Sequence, residues 1–176
     1  WVSDQRLPDA ADVLTGPIIL PEAHCLTQDQ KSILRSHTED GKGLLWVGHT
    51  PKAVWQGHGA CPPPPGKTAA HAELKPIRPK HPVWEGVELP IVLASAFSEP
   101  GIEGEVIGEF EGHPGLVIQE TGSRREAWLA GMPVYNYVRP GDHGSVRTPT
   151  GGIALLRNLL QWLAQKKPMA QLWPYP

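Results

Sequence analysis

The sequence predicts an α/β fold with a parallel sheet, and three features in its first third lead to that prediction. Two short runs of large apolar residues, at 18–20 and 44–47, are typical of buried strands. Between them, Thr27 and Gln30 form a capping-box pattern that begins an amphipathic helix, and Gly41 suits the end of that helix. Strand, helix of about three turns and strand make one right-handed βαβ unit.

The middle of the chain predicts a long loop followed by short strands. Residues 57–80 contain four consecutive prolines, which exclude a helix interior and a central strand, and only 69–74 is predicted to form a short helix. Glycine-punctuated apolar runs then predict hairpins or a meander. The predicted strands are 89–94, 106–110, 116–120 and 127–130, with a further strand end at 132–137.

The last predicted element is an amphipathic helix that begins at the signal Thr148-Pro149-Thr150. Its apolar stripe at helical spacing comprises Ile153, Leu155, Leu156, Leu159, Leu160 and Leu163.

Length and composition predict one globular domain over residues 1–176. A net charge of −2 without runs of one sign argues against nucleic acid or an anionic membrane as the main partner. No apolar run approaches the ~20 residues needed to cross a bilayer. Cys25 and Cys61 form one disulfide or none. Because the chain begins at Trp1 without a signal-peptide pattern, we expect a processed form or a domain of a larger protein, in a compartment that the sequence leaves open.

Three segments share a pattern with a known superfamily. Residues 21–48 follow the order proline, short loop, helix, glycine-rich turn and strand. Residues 81–87 (HPVWEGV) contain an HP-x-x-x-G feature, and residues 126–131 (EAWLAG) precede a polar loop and the final helix. This order resembles the class I glutamine-amidotransferase-like superfamily, especially the trimerisation-type domains of bacterial β-galactosidases and related glycoside hydrolases.

The resemblance covers most of the chain. It implies a flavodoxin-like three-layer α/β sandwich with a mainly parallel sheet and additional β-hairpin strands, lacking the first strand and helix of the usual fold. It also implies a role in assembly or in shaping a neighbouring active site.

The sequence contains no complete catalytic motif. An active amidotransferase needs a Gly-x-Cys-x-Gly elbow after a strand, and residues 48–51 (GHTP) have no cysteine there. The Gly-x-Ser-x-Gly elbow of a serine hydrolase does not occur. Residues 66–68 (GKT) lack the leading glycine of a phosphate-binding loop and follow prolines without N–H groups. The sequence therefore favours a non-catalytic domain.

Eight histidines raise the question of a metal site. His24, Cys25, His58 and Cys61 fit no usual spacing of zinc ligands. No metal and no cofactor is predicted.

The best candidate binding cluster lies before the last helix. Tyr135, Asn136, Tyr137 and Arg139 combine aromatic faces with an amide and a guanidinium group, a mixture that suits the faces and hydroxyls of a sugar. The alternative is a loop packed against another subunit or domain.

A second group follows the strand at 44–47, where open α/β sheets place their ligand sites. Thr50 and Trp55 are its candidate ligand-binding residues, with the same alternative of a packed loop. If the protein is a hydrolase, the first candidates for a catalytic base are His49, Asp142 and His143.

Two functions lead, ahead of a third in which the chain is a purely structural module whose proline-rich loop docks a partner. The first is a non-catalytic domain for oligomerisation or domain docking in a carbohydrate-active protein, whose partners are copies of the chain or adjoining domains. It predicts an exposed apolar contact surface. The second is a small hydrolase or sugar-binding protein with its site at the strand carboxyl ends, and it predicts polar side chains that converge there.

Overall fold

The structure, a computed structural model, describes residues 15–21, 26–48, 66–98, 102–133 and 150–165. The predicted βαβ unit is confirmed: strands β1 (Ile18–Pro21) and β2 (Leu44–Val47) are parallel neighbours, and helix α1 (Gln28–Glu39) lies between them in the chain. The later strands are β3 (Lys67–Pro76), β4 (Ile91–Ser98), β5 (Glu105–Phe110), β6 (His113–Thr121), β7 (Arg124–Leu129) and β8 (Met132–Pro133).

The ends of α1 follow the sequence signals. The Thr27 hydroxyl accepts from the backbone N–H of Gln30 at 3.2 Å, and the Gln30 side-chain oxygen accepts from the backbone N–H of Thr27 at 2.7 Å. Two of the unsatisfied donors at the helix start are thus bonded. Gly41 has φ +76°, the left-handed conformation that glycine adopts without steric cost. Leu34, His37 and Thr38 lie on the buried stripe of the helix.

The eight strands form one mixed sheet in the order β1-β2-β7-β6-β5-β3-β4-β8. Among neighbouring strands only the pairs β1–β2 and β2–β7 are parallel, and every other neighbouring pair is antiparallel. The sheet curls strongly into a half-barrel. The curl brings β4 to the end of β7, where the Phe97 N–H donates to the Ala130 carbonyl at 2.8 Å.

The prediction of a flavodoxin-like three-layer sandwich with a mainly parallel sheet is wrong. The described residues form eight strands and two α-helices, and five of the eight strands belong to the antiparallel, curled part. The βαβ unit is real, but the later strands that the structure describes are joined as hairpins, with no further crossover helix among the described residues. An antiparallel neighbour needs only a tight turn, so the chain after β3 adds strands without helices.

The prediction of a loop with a short helix at 69–74 is also wrong. Residues 67–76 form β3, the longest strand of the sheet, which pairs with β4 from Lys67 to Leu74 and with β5 at Lys75 and Pro76. Its alanine-rich sequence favours a helix locally. Pairing with β4 along this stretch overrides that preference.

Helix α2 (Thr150–Ala164) confirms the helix predicted after Thr148-Pro149-Thr150, and Leu155, Leu159 and Leu163 are buried as predicted. Ile153, which the predicted stripe included, is 50% exposed. A 3₁₀ helix (Pro82–Trp84) packs beside α2, since the Asn158 amide donates to the Val83 and Glu85 carbonyls at 3.0 and 2.8 Å. Neither α-helix of the described ranges is long and apolar enough to span a bilayer.

Candidate functional site

The ends of three strands meet at one corner of the sheet. The Gly48 N–H, just after β2, donates to the Leu129 carbonyl of β7 at 2.9 Å. The Phe97 N–H of β4 donates to the next residue, Ala130. Both β2 and β4 therefore end beside the end of β7, and we call Gly48, Ser98 (the last residue of β4) and Ala130 the strand-end junction. It lies at the carboxyl edge of the parallel strands, where open α/β sheets bind ligands.

The segment that carries the first group of candidate residues begins and ends at this junction. Residues 49–65 follow Gly48 and precede Gly66, and a Cβ on Gly66 would lie 2.3 Å from the Ser98 carbonyl oxygen. His49, Thr50 and Trp55 belong to this segment and lie outside the described residues. The structure fixes where their segment begins and ends, and their own roles stay predictions.

The other candidate group is attached nearby. Residues 134–149 follow Pro133 of β8, which is three residues, or about 10 Å of extended chain, from Ala130. They precede Thr150 at the start of α2. The predicted ligand-binding and catalytic residues in this segment also lie outside the described ranges: Tyr135, Asn136, Tyr137, Arg139, Asp142 and His143.

Two buried polar groups near the junction were missed by the sequence reasoning. Ser98 Oγ and Trp128 Nε1 have no hydrogen-bond partner among the described residues, and each side chain belongs to a residue that is 2% exposed. A buried donor without an acceptor costs about 1–3 kcal/mol. Ser98 ends an apolar strand and Trp128 lies within one, so no local signal distinguishes them from core residues.

Glu126 is a buried carboxylate in the amino-terminal half of β7. It accepts from Arg124 Nε at 2.7 Å and from the indole N–H of Trp46 at 3.4 Å, and it forms an ion pair with Arg124. Its charge is thus compensated within the sheet. Since Glu126 lies toward the opposite end of β7 from the junction, we interpret this group as structural.

A polar and aromatic cluster anchors the end of α2 to the sheet. Arg125 donates to the Trp162 carbonyl at 2.8 Å, its guanidinium lies 5.0 Å from the centre of the Trp162 ring, and it pairs with Glu120. The His81 ring meets Trp162 edge-on at 6.2 Å. Burial lowers the pKa of His81, against the opposing charges of Glu105 and Glu120. The cations and carboxylates satisfy one another, which favours a structural role.

Among the described ranges, no three His, Cys, Asp or Glu side chains are grouped so that they could hold a metal ion. His24, Cys25, His58 and Cys61 lie outside those ranges, so the structure leaves their pairing and ligation as predictions.

The fold recurs in solved structures of low sequence identity. A cytoplasmic protein from Salmonella typhimurium is 14% identical with a TM-score of 0.60, over 92% of this chain and 75% of its own. A β-galactosidase from Bacillus circulans sp. alkalophilus is 12% identical with a TM-score of 0.58, over 89% of this chain and 24% of its own. A protein from Parabacteroides merdae described as ThuA-like is 13% identical with a TM-score of 0.52, over 84% and 69%.

At these identities the likeness shows the fold alone. It agrees in part with the resemblance found in the sequence, because a β-galactosidase is among the structures that share the fold. This chain spans about a quarter of that β-galactosidase. No protein-family model matches the sequence, and no curated protein sequence matches it either.

Proposed function

We propose that this chain is a non-catalytic module for assembly in a carbohydrate-active protein, and that it self-associates through the edge formed by β8 and the start of α2. The observation that carries the proposal is a set of exposed apolar side chains at that edge: Leu89 at 55%, Ile153 at 50% and Met132 at 38% exposure.

Backbone contacts bring together the three chain segments that carry these side chains. A Cβ on Gly151 would lie 1.9 Å from the Glu88 carbonyl oxygen, and one on Gly152 would lie 3.0 Å from Pro133 Cβ. Leu89 is next to Glu88 in the chain, Met132 is next to Pro133, and Ile153 follows the two glycines. Exposed apolar side chains near an edge strand are typical of contact surfaces.

The carbohydrate context is supported by the comparison alone. A fold that makes up about a quarter of a β-galactosidase chain suits a module that works beside other domains. The absence of a catalytic motif in the sequence supports a role other than catalysis.

The test is light scattering at several protein concentrations on the wild type and on Leu89→Gln/Ile153→Gln. Burial of a leucine or isoleucine side chain contributes about 1.5–3 kcal/mol. We therefore expect the dissociation constant of the oligomer to be at least tenfold higher in the double variant than in the wild type. The matched control is Ile19→Thr, which changes a residue of 39% exposure at the other edge of the sheet. A wild type that is monomeric at every concentration would overturn self-association.

The second function, a sugar-binding protein or small hydrolase, is favoured by the buried polar atoms without partners near the junction. We infer that His49 and Asp142 are the residues to test first. Under this alternative, His49→Ala and Asp142→Asn abolish binding or turnover of simple glycosides while the melting temperature is kept. If the wild type and both variants bind or turn over glycosides equally, this alternative function is excluded.

A further inference from the structure

His37 links the end of helix α1 to the chain that enters the first strand of the sheet. It lies in the last turn of α1 and is only 5% exposed. Its ring is hydrogen-bonded to the backbone of Gly16, two residues before β1 begins at Ile18. The end of α1 and the start of β1 are thus joined through a side chain that can take up a proton.

One nitrogen of this ring is left unsatisfied in the described structure. The Nε2 atom of His37 is buried and has no hydrogen-bond partner. Protonation makes both ring nitrogens donors and adds a positive charge to the ring. A buried donor without an acceptor and a buried charge both cost free energy. The protonated ring therefore favours conformations in which it reaches water.

Among the described residues, the charged groups that act on this ring lie in the turn between α1 and β2. Lys42 repels the protonated form, and the carboxylate of Asp40 attracts it. Lys42 Nζ lies 3.6 Å from Asp40 Oδ2, so the two charges partly offset each other. On β7, which also packs against α1, Glu126 is paired with Arg124. Burial is the larger effect, and it lowers the pKa of His37.

Strand β1 is the element that this link can release. It has four residues and, among the described strands, only β2 as a neighbour. Its residue Ile19 is 39% exposed, whereas all four residues of β2 are buried. Short elements at the edge of a fold, with few buried contacts, open at a lower free energy than its centre. Loss of the bond to Gly16 therefore acts first on β1.

We propose that the contact between His37 and Gly16 is an acid-sensitive latch: protonation of the ring breaks the contact and releases β1 from the edge of the sheet, while the central strands stay folded. In the released form the ring reaches water and titrates near the ordinary pKa of about 6.5, whereas the closed form resists the proton. Release therefore increases as the pH falls below about 6.5. The latch is independent of the self-association proposed above, since β1 and β8 lie at opposite edges of the sheet.

The experiment measures amide hydrogen exchange of the full chain by NMR at about pH 7.5 and about pH 5.5, as protection factors that correct for the intrinsic pH dependence of exchange. Ile18 reports on β1, because its N–H donates to the Gly43 carbonyl at 3.0 Å. Ala130 reports on the centre of the sheet, because its N–H donates to the Gly115 carbonyl at 2.9 Å. We expect Ile18 to be less protected than Ala130 at both pH values. Its protection factor should fall several-fold at the lower pH, by at most about tenfold for one proton.

Three variants assign the response to one ring. The side chain of His37→Gln does not titrate, so the protection factor of Ile18 should change much less with pH than in the wild type. His113→Gln changes an exposed histidine of β6 and should keep the wild-type response. Lys42→Gln keeps His37 but removes a charge that lowers its pKa, so we expect a smaller response. This third variant covers the case in which His37→Gln fails to fold.

Two outcomes would overturn the proposal. One is a protection factor of Ile18 that does not fall with pH in the wild type, or that falls equally in the wild type and His37→Gln. The other is equal protection of Ile18 and Ala130 at both pH values. In that case β1 opens only when the whole sheet unfolds, and His37 affects global stability alone.

Discussion

At the scale of single residues, His37 is the group whose environment most directly predicts a measurable property. It is buried near the end of α1, its ring bonds the backbone of Gly16, and Nε2 has no partner in the described structure. Burial lowers the pKa of His37 from its ordinary value, and the charge of Lys42 lowers it further. The folded protein therefore resists protonation of this ring.

We predict that stability falls in mild acid because of His37. The folded pKa lies below the unfolded value of about 6.5, so the unfolded chain binds the proton first. The contribution of neutral His37 to the free energy of unfolding is complete above about pH 6.5, and it is lost as the pH falls from there toward the folded pKa. The free energy of unfolding, measured by urea denaturation between pH 8 and 5, should decrease by at most about 1.4 kcal/mol per pH unit for this one proton.

The matching variant is His37→Gln, whose amide can still donate to Gly16 but does not titrate. We expect its free energy of unfolding to change less with pH than that of the wild type. His71→Gln, at an exposed position of β3, should keep the wild-type slope. A slope in His37→Gln as steep as in the wild type would mean that other groups cause the acid sensitivity.

At the scale of elements, α1 depends on its first turn. Thr27→Ala removes the hydroxyl that accepts from the Gln30 N–H, and we predict a loss of about 1 kcal/mol in the free energy of unfolding. Thr27→Ser retains an acceptor and should lose less than half as much. Equal losses in both variants would show that the Thr27 methyl group, and not its hydroxyl, stabilises the helix start.

The strand β3 shows why element type was harder to predict than element position. Only Ala72 and Leu74 of its ten residues are buried hydrophobics, so the alternating pattern is weak. Local preference in residues 69–74 points to a helix. The partner that makes them a strand, β4, lies 17 to 27 residues further along the chain, from Leu74↔Ile91 to Ala69↔Ala96.

At the scale of the whole molecule, the curled sheet depends on a close approach after β7. A Cβ on Gly131 would lie 2.4 Å from the Ala94 carbonyl oxygen and 3.1 Å from Ala96 Cα. We predict that Gly131→Ala lowers the free energy of unfolding by about 1–3 kcal/mol, because β4 must move away from the chain that leads into β8.

The control for this prediction is Gly16→Ala, where a Cβ would meet nothing within 4 Å. Its free energy of unfolding should stay within about 0.5 kcal/mol of the wild type. Both variants are compared by chemical denaturation. Unchanged stability in Gly131→Ala would mean that the end of β7 and β4 separate without cost, and that this contact does not hold the curl.

The sequence predicted where the strand-end junction lies, and its function stays a prediction. The sequence located the end of β2 at Gly48, and the junction lies there. Ser98 and Trp128 were not identified, because burial and the lack of a partner depend on neighbours that are remote in sequence. His49 and Asp142 carry recognisable chemistry, and their roles remain predictions to be tested by the variants given above.

The sequence by itself determined the elements with strong local signals: the βαβ unit, the capped ends of α1, the last helix and most of the later strands. Capping residues, glycines and apolar periodicity act over a few residues, so they can be read locally. The tertiary structure alone decided that β7 joins β2 in parallel, that β3 is a strand and that the sheet curls until β4 meets the end of β7. Strand order and direction arise from pairing between distant segments, and no local pattern encodes them.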